Sequence, residues 1–259
     1  MVMTLQRKHL FGHTSELKSD SFQDLIGYGS FSMIYSCISG GSVIKLPRYG
    51  SVKQLSNKCS VLIALATGEV AGIVKLEASN NISIYIGNMP IEVPALKLSP
   101  TGIPLETYLR TCRNASLRLE HLNKIGNQMH STLDVIRTKG YSHNNDVSPK
   151  NILVKIGSSQ CQAFLIDFGI SSTTKVALTG YRGTPCYSPL FVIMKYPQAQ
   201  WKPDKFVDLL ALALSIAWVV EPEKIHGHPF SHVHLQEQMA RGKKLKLGLK
   251  NVLNLHPNS

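Results

Sequence analysis

Tyr141-Ser142-His143-Asn144-Asn145-Asp146-Val147-Ser148-Pro149-Lys150-Asn151-Ile152-Leu153, with Ile166-Asp167-Phe168-Gly169 further on, decides how the chain folds. Asp146 and Asn151 stand five apart, in a loop that follows a helical pattern and precedes a strand-like run. Asp167 ends another strand-like run sixteen residues after Asn151. One aspartate can accept a hydroxyl proton, while an asparagine and a second aspartate can hold Mg2+. Phosphoryl transfer needs that set. The metal neutralises the phosphates and the first carboxylate orients the acceptor. Asp-x-x-x-x-Asn alone is common by chance; Asp-Phe-Gly following in this order makes chance a poor account.

Outward from this loop the hydrophobic period defines the neighbouring elements. Leu122, Ile125, Met129, Leu133 and Ile136 recur at spacings of three and four, which predicts a helix with one buried face. Lys139-Gly140 ends it with a cationic last turn and a glycine stop. Two short strands are expected near Ile152 to Lys155 and Ala163 to Ile166. An irregular polar segment then runs to Pro189, and a second apolar helix spans about Lys205 to Val220. Upstream, Phe22 to Leu98 reads as strands such as Ser42 to Leu46 and Ile82 to Ile86, interrupted by a helix over Val52 to Ala66. A turn at Leu98-Ser99-Pro100-Thr101-Gly102 marks a lobe boundary. The expected class is α+β, with a loose extension over 1–21, a strand-rich lobe over 22–98, a helical lobe over 99–225 and a tail over 226–259. A cleft is expected between the lobes.

Two features of the first lobe suit a phosphate ligand. Gly27-Tyr28-Gly29-Ser30-Phe31-Ser32 follows a strand, and glycines bring backbone amides against phosphate oxygens with no side chain intervening. Two glycines in a hairpin are ordinarily just a turn, and Ser32 stands where the usual nucleotide pattern has a third glycine. Lys45, sixteen residues beyond Gly29, lies inside Val43-Ile44-Lys45, a strand setting poor for water and good for reaching phosphates. Alone, such a lysine also reads as one that snorkels to the surface.

In this order, glycine loop, strand lysine, catalytic loop, Asp-Phe-Gly and then Gly183-Thr184-Pro185-Cys186-Tyr187-Ser188-Pro189, the chain resembles the eukaryotic protein kinase-like superfamily from about Phe22 to Val220. The last segment is similar to the substrate-binding stretch of Ser/Thr kinases. The resemblance implies a kinase-like fold with a shortened helical lobe and ATP and Mg2+ as cofactors. It implies that Gly27, Gly29, Ser30 and Lys45 contact the nucleotide and that Asp146 is the catalytic base. Asn151 and Asp167 would hold the metal, Lys150 would supply a cation beside the base, and Thr184 would contact the acceptor loop. Asp208 matches the helix aspartate that braces the catalytic loop in the family. The implied activity is transfer of the γ-phosphoryl group of ATP to Ser/Thr of a protein.

The departures are specific. Aligning Val61-Leu62 and Leu65 with the family's helix C puts Lys58 where a glutamate pairs the strand lysine; a shorter loop puts Val61 there, and Glu69 is the nearby acid. Ser148 replaces the catalytic-loop lysine, with Lys150 as the substitute. Asn144 and Asn145 stand where His and Arg are usual, and Leu190 replaces the glutamate of Ala-Pro-Glu. Only a short stretch follows Asp208, less than the late helices need. These favour a rival reading, a pseudokinase that binds nucleotide or recruits a partner. A small-molecule phosphotransferase is a third, opposed by the Gly183 to Pro189 segment.

Composition sets outer limits. The 259 residues, 43% hydrophobic and 17% charged, exclude a disordered or collagenous chain. The apolar run from Leu209 to Val220 is too short to span a bilayer, so no membrane partner is expected. No secretory signal opens the chain, and Cys37, Cys59, Cys112, Cys161 and Cys186 lack paired spacing. Reduced thiols in an intracellular protein, cytoplasmic or nuclear, are the expectation. The 28 Lys+Arg against 16 Asp+Glu give +12, which suits polyanions, including an acidic protein substrate. Arg241, Lys243, Lys244, Lys246 and Lys250 form a basic tail, the one stretch suited to nucleic acid and ordinarily a solvated face. His226, His228, His232 and His234 cluster without cysteines or acids at metal-ligand spacing, which favours a polar loop.

Overall fold

Strand-forming residues of the first hundred positions assemble, in a computed structural model, into one antiparallel sheet. The structure describes residues 7–8, 22–29, 31–48, 50–67, 70–86, 89–143, 146–157, 160–177, 183–184, 187–188 and 206–220. The Ser30, Asn144, Asn145, Glu69, Cys186 and Leu190 assignments, the histidine cluster and the basic tail lie outside them. The protein is mixed α+β, and the chain divides into two compact units: 1–103 with 153–171, and 104–152 with 172–259. Residues 153–171, expected with the helical part, therefore pack with the strand-rich one.

In the first unit the strands are β1 (Arg7–Lys8), β2 (Phe22–Tyr28), β3 (Ser32–Cys37), β4 (Val43–Pro47), β5 (Lys75–Ile86) and β6 (Met89–Ser99), in the order β1-β5-β6-β4-β3-β2. Arg7 and Lys8, expected in a loose extension, pair with Ile82 and Asn81 at the sheet edge. Pro90 and Pro94 are tolerated in β6 because its ladder with β4 covers only Leu96 to Leu98, leaving the proline stretch paired on the β5 side alone. Cys37, Ile44, Leu46, Ala78, Ile82, Val93 and Ala95 form the sheet's buried cluster. Helix α1 (Val52–Ala66) lays Leu55, Cys59, Val61, Leu62 and Leu65 against β4, β5 and β6. Lys58 shares that buried face.

Three further strands of short span, β7 (Ile103–Pro104), β9 (Ile152–Ile156) and β10 (Cys161–Leu165), form a second sheet in the order β10-β9-β7. Gly102 is required by close approach: a Cβ there would stand 3.0 Å from the Val154 carbonyl oxygen and 3.1 Å from Leu153 Cβ. Leu165 bridges in parallel to Ile73, and its N–H donates to the Gly72 carbonyl at 2.7 Å, which sets the chain just before Asp167.

The second unit is built on helices α2 (Leu105–Thr111), α3 (Ala115–Thr138) and α4 (Val207–Val220), with a small antiparallel pair of β8 (Tyr141–Ser142) and β11 (Ser172–Thr173). Asn114 caps α3 by accepting from the Leu117 N–H at 3.0 Å. The helix ends with Gly140 at φ 80, whose N–H donates to the Arg137 carbonyl at 2.8 Å. Its buried seam of Leu122, Ile125, Met129, Leu133 and Ile136 follows the expected spacing. Gly126 lets α4 come close, since a Cβ there would stand 3.2 Å from Ile216 Cδ1.

No helix among the described residues is long and apolar enough to cross a membrane. Cys37, Cys59, Cys112 and Cys161 are free thiols, and burial pushes the Cys37 and Cys59 thiols up, away from the reactive thiolate.

Candidate functional site

In the first unit the site begins at strand β4, where Ile44 and Leu46 are fully buried and Lys45 between them is 6% exposed. A strand alternates its faces, so Lys45 projects opposite Ile44 and Leu46, towards α1 and the end of β10. Its Nζ stands 3.0 Å from Asp167 Oδ1. Lys58, on α1, brings a second ammonium to the same oxygen at 4.0 Å, the outer range of an ion pair. Two cations thus converge on one carboxylate. Burial first, and then the charge and hydrogen bond of Lys45, push Lys58 down to about 7 from the ordinary lysine value, against the opposing pull of Asp167.

Asp167 itself is held in an unusual conformation. Its φ of 64 and ψ of 67 make it the one non-glycine residue with positive φ among those described. Such a backbone costs on the order of 1–3 kcal/mol and persists only where the surroundings impose it. Phe168, fully buried, anchors the following turn. Asn57 of α1 imposes the rest: its Nδ2 donates to the carbonyls of Phe168, Gly169 and Ser171 at 3.3, 3.0 and 2.9 Å. Gly169 packs tightly, since a Cβ would meet both Asp167 Oδ1 and the Gln54 carbonyl oxygen at 3.4 Å. Replacing Asn57 with Ala is expected to lower stability by about 1–3 kcal/mol in denaturant unfolding, because one amide serves three acceptors. An unchanged midpoint would show that these carbonyls are satisfied without it.

The glycine turn is tied down from β4. The Gly29 N–H donates to the Ser32 carbonyl at 2.8 Å, and Arg48 Nη1 donates to the Gly29 carbonyl at 3.1 Å. The Arg48 guanidinium also lies 4.3 Å from the Tyr28 ring centre. Gly27 packs on Ile34, where a Cβ would stand 3.3 Å from Cδ1.

In the second unit the loop around Asp146 is cross-linked at nearly every residue. Asn151 Nδ2 donates to the Asp146 carbonyl at 2.9 Å, and Thr184 Oγ1 donates to Asp146 Oδ1 at 2.9 Å. The Val147 carbonyl accepts from Ser215 Oγ of α4 at 2.9 Å, and the Pro149 carbonyl from the Glu106 N–H at 3.2 Å. Upstream, Asp208 Oδ2 accepts from Ser142 Oγ at 2.8 Å and from the His143 N–H at 2.7 Å. Lys150 is exposed on the same loop.

Sequence reasoning singled out Lys45, Lys58, Asp167, Asp146, Asn151, Thr184 and Asp208. The structure places Lys45 and Lys58 at Asp167 in the first unit, Asn151 and Thr184 at Asp146 in the second, and Asp208 at Ser142 and His143. Sequence reasoning missed Asn57, Arg48 and Ser215. These act on backbone carbonyls, and no spacing rule marks a side chain whose partner is a main-chain oxygen.

Asp167 and Asn151 supply hard oxygen donors, the type Mg2+ takes when substrate phosphates complete its shell. Among the described residues no group of three or more His, Cys, Asp or Glu could hold a metal by itself. No family model matches this chain, and no curated protein matches it.

Proposed function

We propose that this chain is a small protein kinase-like phosphotransferase that moves the γ-phosphoryl group of ATP to a Ser/Thr hydroxyl of a protein. The observation that carries the reading is the Lys45–Asp167 ion pair at 3.0 Å, joining a buried strand lysine to the partly exposed Asp-Phe-Gly aspartate. Those residues are far apart in sequence, and the fold brings them together in the order the resemblance implies.

In this reading Lys45 orients phosphate oxygens, and Gly27 and Gly29, whose turn is held by the Gly29 N–H bond to Ser32, put no side chain in the way. Asp167 in the first unit and Asn151 in the second each offer an oxygen of the kind Mg2+ takes, and the ion when bound would neutralise charge on the phosphates. Asp146 accepts the proton of the attacking hydroxyl as its oxygen bonds to the γ-phosphorus and the bond to ADP breaks. Thr184 fixes the Asp146 carboxylate through its 2.9 Å hydrogen bond. Lys150 offers a cation on the loop, where Ser148 offers none.

One observation favours a second reading, a pseudokinase: Lys58, a cation beside Lys45 where kinases use an acid, competes for Asp167. Incubation with γ-labelled ATP, Mg2+ and acceptor proteins both acidic and basic separates the two. Acid-stable label on serine or threonine is the expected result. Nucleotide binding with no label on any acceptor would leave the pseudokinase reading standing and remove the enzyme.

A further inference from the structure

Inside the first unit two lysine amines meet one carboxylate. Among the described residues, Asp167 is the one carboxylate in ion-pair range of either Lys45 or Lys58. Lys58 is 2% exposed, on a helix face otherwise made of Leu55, Cys59, Val61, Leu62 and Leu65. Packing alone would place a leucine or methionine there, because a buried ammonium is costly unless it is compensated. Asp167 compensates only one of the two cations.

We propose that Lys58 is a second phosphate-binding residue, which with Lys45 forms a two-ammonium grip, so that nucleotide binding persists without Mg2+. This rests on the nucleotide reading of Lys45 and Asp167 given above. Three facts lead to it. The two ammonium groups come from separate rigid elements, β4 and α1, and both stems are buried, so neither needs ordering when an anion arrives. Each lysine carries three donors and no acceptor, which suits non-bridging phosphate oxygens. Finally, Asp167 is drawn to two ammoniums, so less of its charge is left for a metal, and Lys58 supplies a positive charge of the kind the metal would bring.

Calorimetric titration of ATP into the full chain, in Mg2+ and in EDTA, tests this with wild type, Lys58→Met, Lys58→Arg and Lys58→Glu. Wild type is expected to bind in EDTA within about tenfold of its affinity in Mg2+, a difference of about 1.4 kcal/mol. Lys58→Met is expected to weaken metal-free binding by about tenfold or more while changing Mg2+-supported binding far less. Lys58→Arg keeps metal-free binding. Lys58→Glu loses it and binds ATP only with Mg2+, because the new acid pairs Lys45 and leaves Asp167 for the ion. Should a variant fail to fold, judged by its melting curve without ligand, the wild-type comparison decides. Wild-type binding abolished by EDTA overturns the grip and leaves the nucleotide site intact. Equal metal-free affinity in wild type and Lys58→Met overturns it as well. No binding of ATP with or without Mg2+ overturns the nucleotide reading itself.

Discussion

Asp146→Asn is expected to lower phosphoryl transfer by about 10²- to 10⁴-fold, the range for removing a positioned general base. The substitution is nearly isosteric, and the geometry around it allows the chemistry to be lost alone. Thr184 Oγ1 donates to Asp146 Oδ1, and an amide oxygen in the same place can accept that bond. The Asn151 side chain donates to the backbone carbonyl of residue 146, which the change leaves untouched. Stability should therefore fall far less than transfer does, by about 1 kcal/mol or less. Nucleotide affinity should also hold, because the proposed phosphate contacts lie on other residues. Rates on one fixed acceptor, together with melting curves, check both halves. Equal rates in the two proteins would remove Asp146 from the role of base. A large fall in stability would instead make the loop contact, not the proton, the reason for any loss.

Asp208→Ala is expected to have the largest effect on folding. Its carboxylate is 8% exposed and accepts two hydrogen bonds on Oδ2, from Ser142 Oγ and the His143 N–H. His143 is fully buried, so its N–H has no water to turn to once the acceptor is gone. Hydrogen bonds to a charged group contribute about 1.5–3 kcal/mol each, which puts the combined loss at about 3–6 kcal/mol. Asp208 also lies in the first turn of α4, where the helix dipole favours an acid. Against a typical total of about 5–15 kcal/mol, such a loss leaves the protein marginal. Denaturant unfolding measures it. Asp208→Asn, which keeps an acceptor oxygen, should cost clearly less than Asp208→Ala. The same cost for both would mean that charge matters here and the paired acceptor does not.

Much of this arrangement was legible in the residues, for reasons that can be traced. The bounds of α1 follow from its apolar spacing, and the end of α3 from Lys139-Gly140. The expected start of α3 was late because residues 115–120 are all exposed and carry no apolar stripe, leaving the Asn114 cap as the signal. Helix α2 is seven residues long, too short for periodicity to register. Strand β1 makes its pairing through backbone groups of two residues, which no side-chain pattern reports. Residues 153–171 pack with the first unit through the Ile73–Leu165 bridge and the Asn57 hydrogen bonds, both of them contacts to the main chain. Of the two alignments of α1, one singled out Lys58, which the structure places 4.0 Å from Asp167. What the sequence could not give was the convergence of both lysines on one oxygen, since only the fold sets that distance.

The central claim is that the Lys45–Lys58–Asp167 cluster is where the phosphates of a nucleotide bind. A crystal structure of the chain with a non-hydrolysable ATP analogue and Mg2+ tests it most directly. The account predicts phosphate oxygens within hydrogen-bond distance of Lys45 Nζ and Lys58 Nζ, with the turn from Gly27 to Gly29 against them. A nucleotide bound elsewhere, or a cluster unchanged at saturating analogue with Asp167 still closed on both lysines, would contradict it.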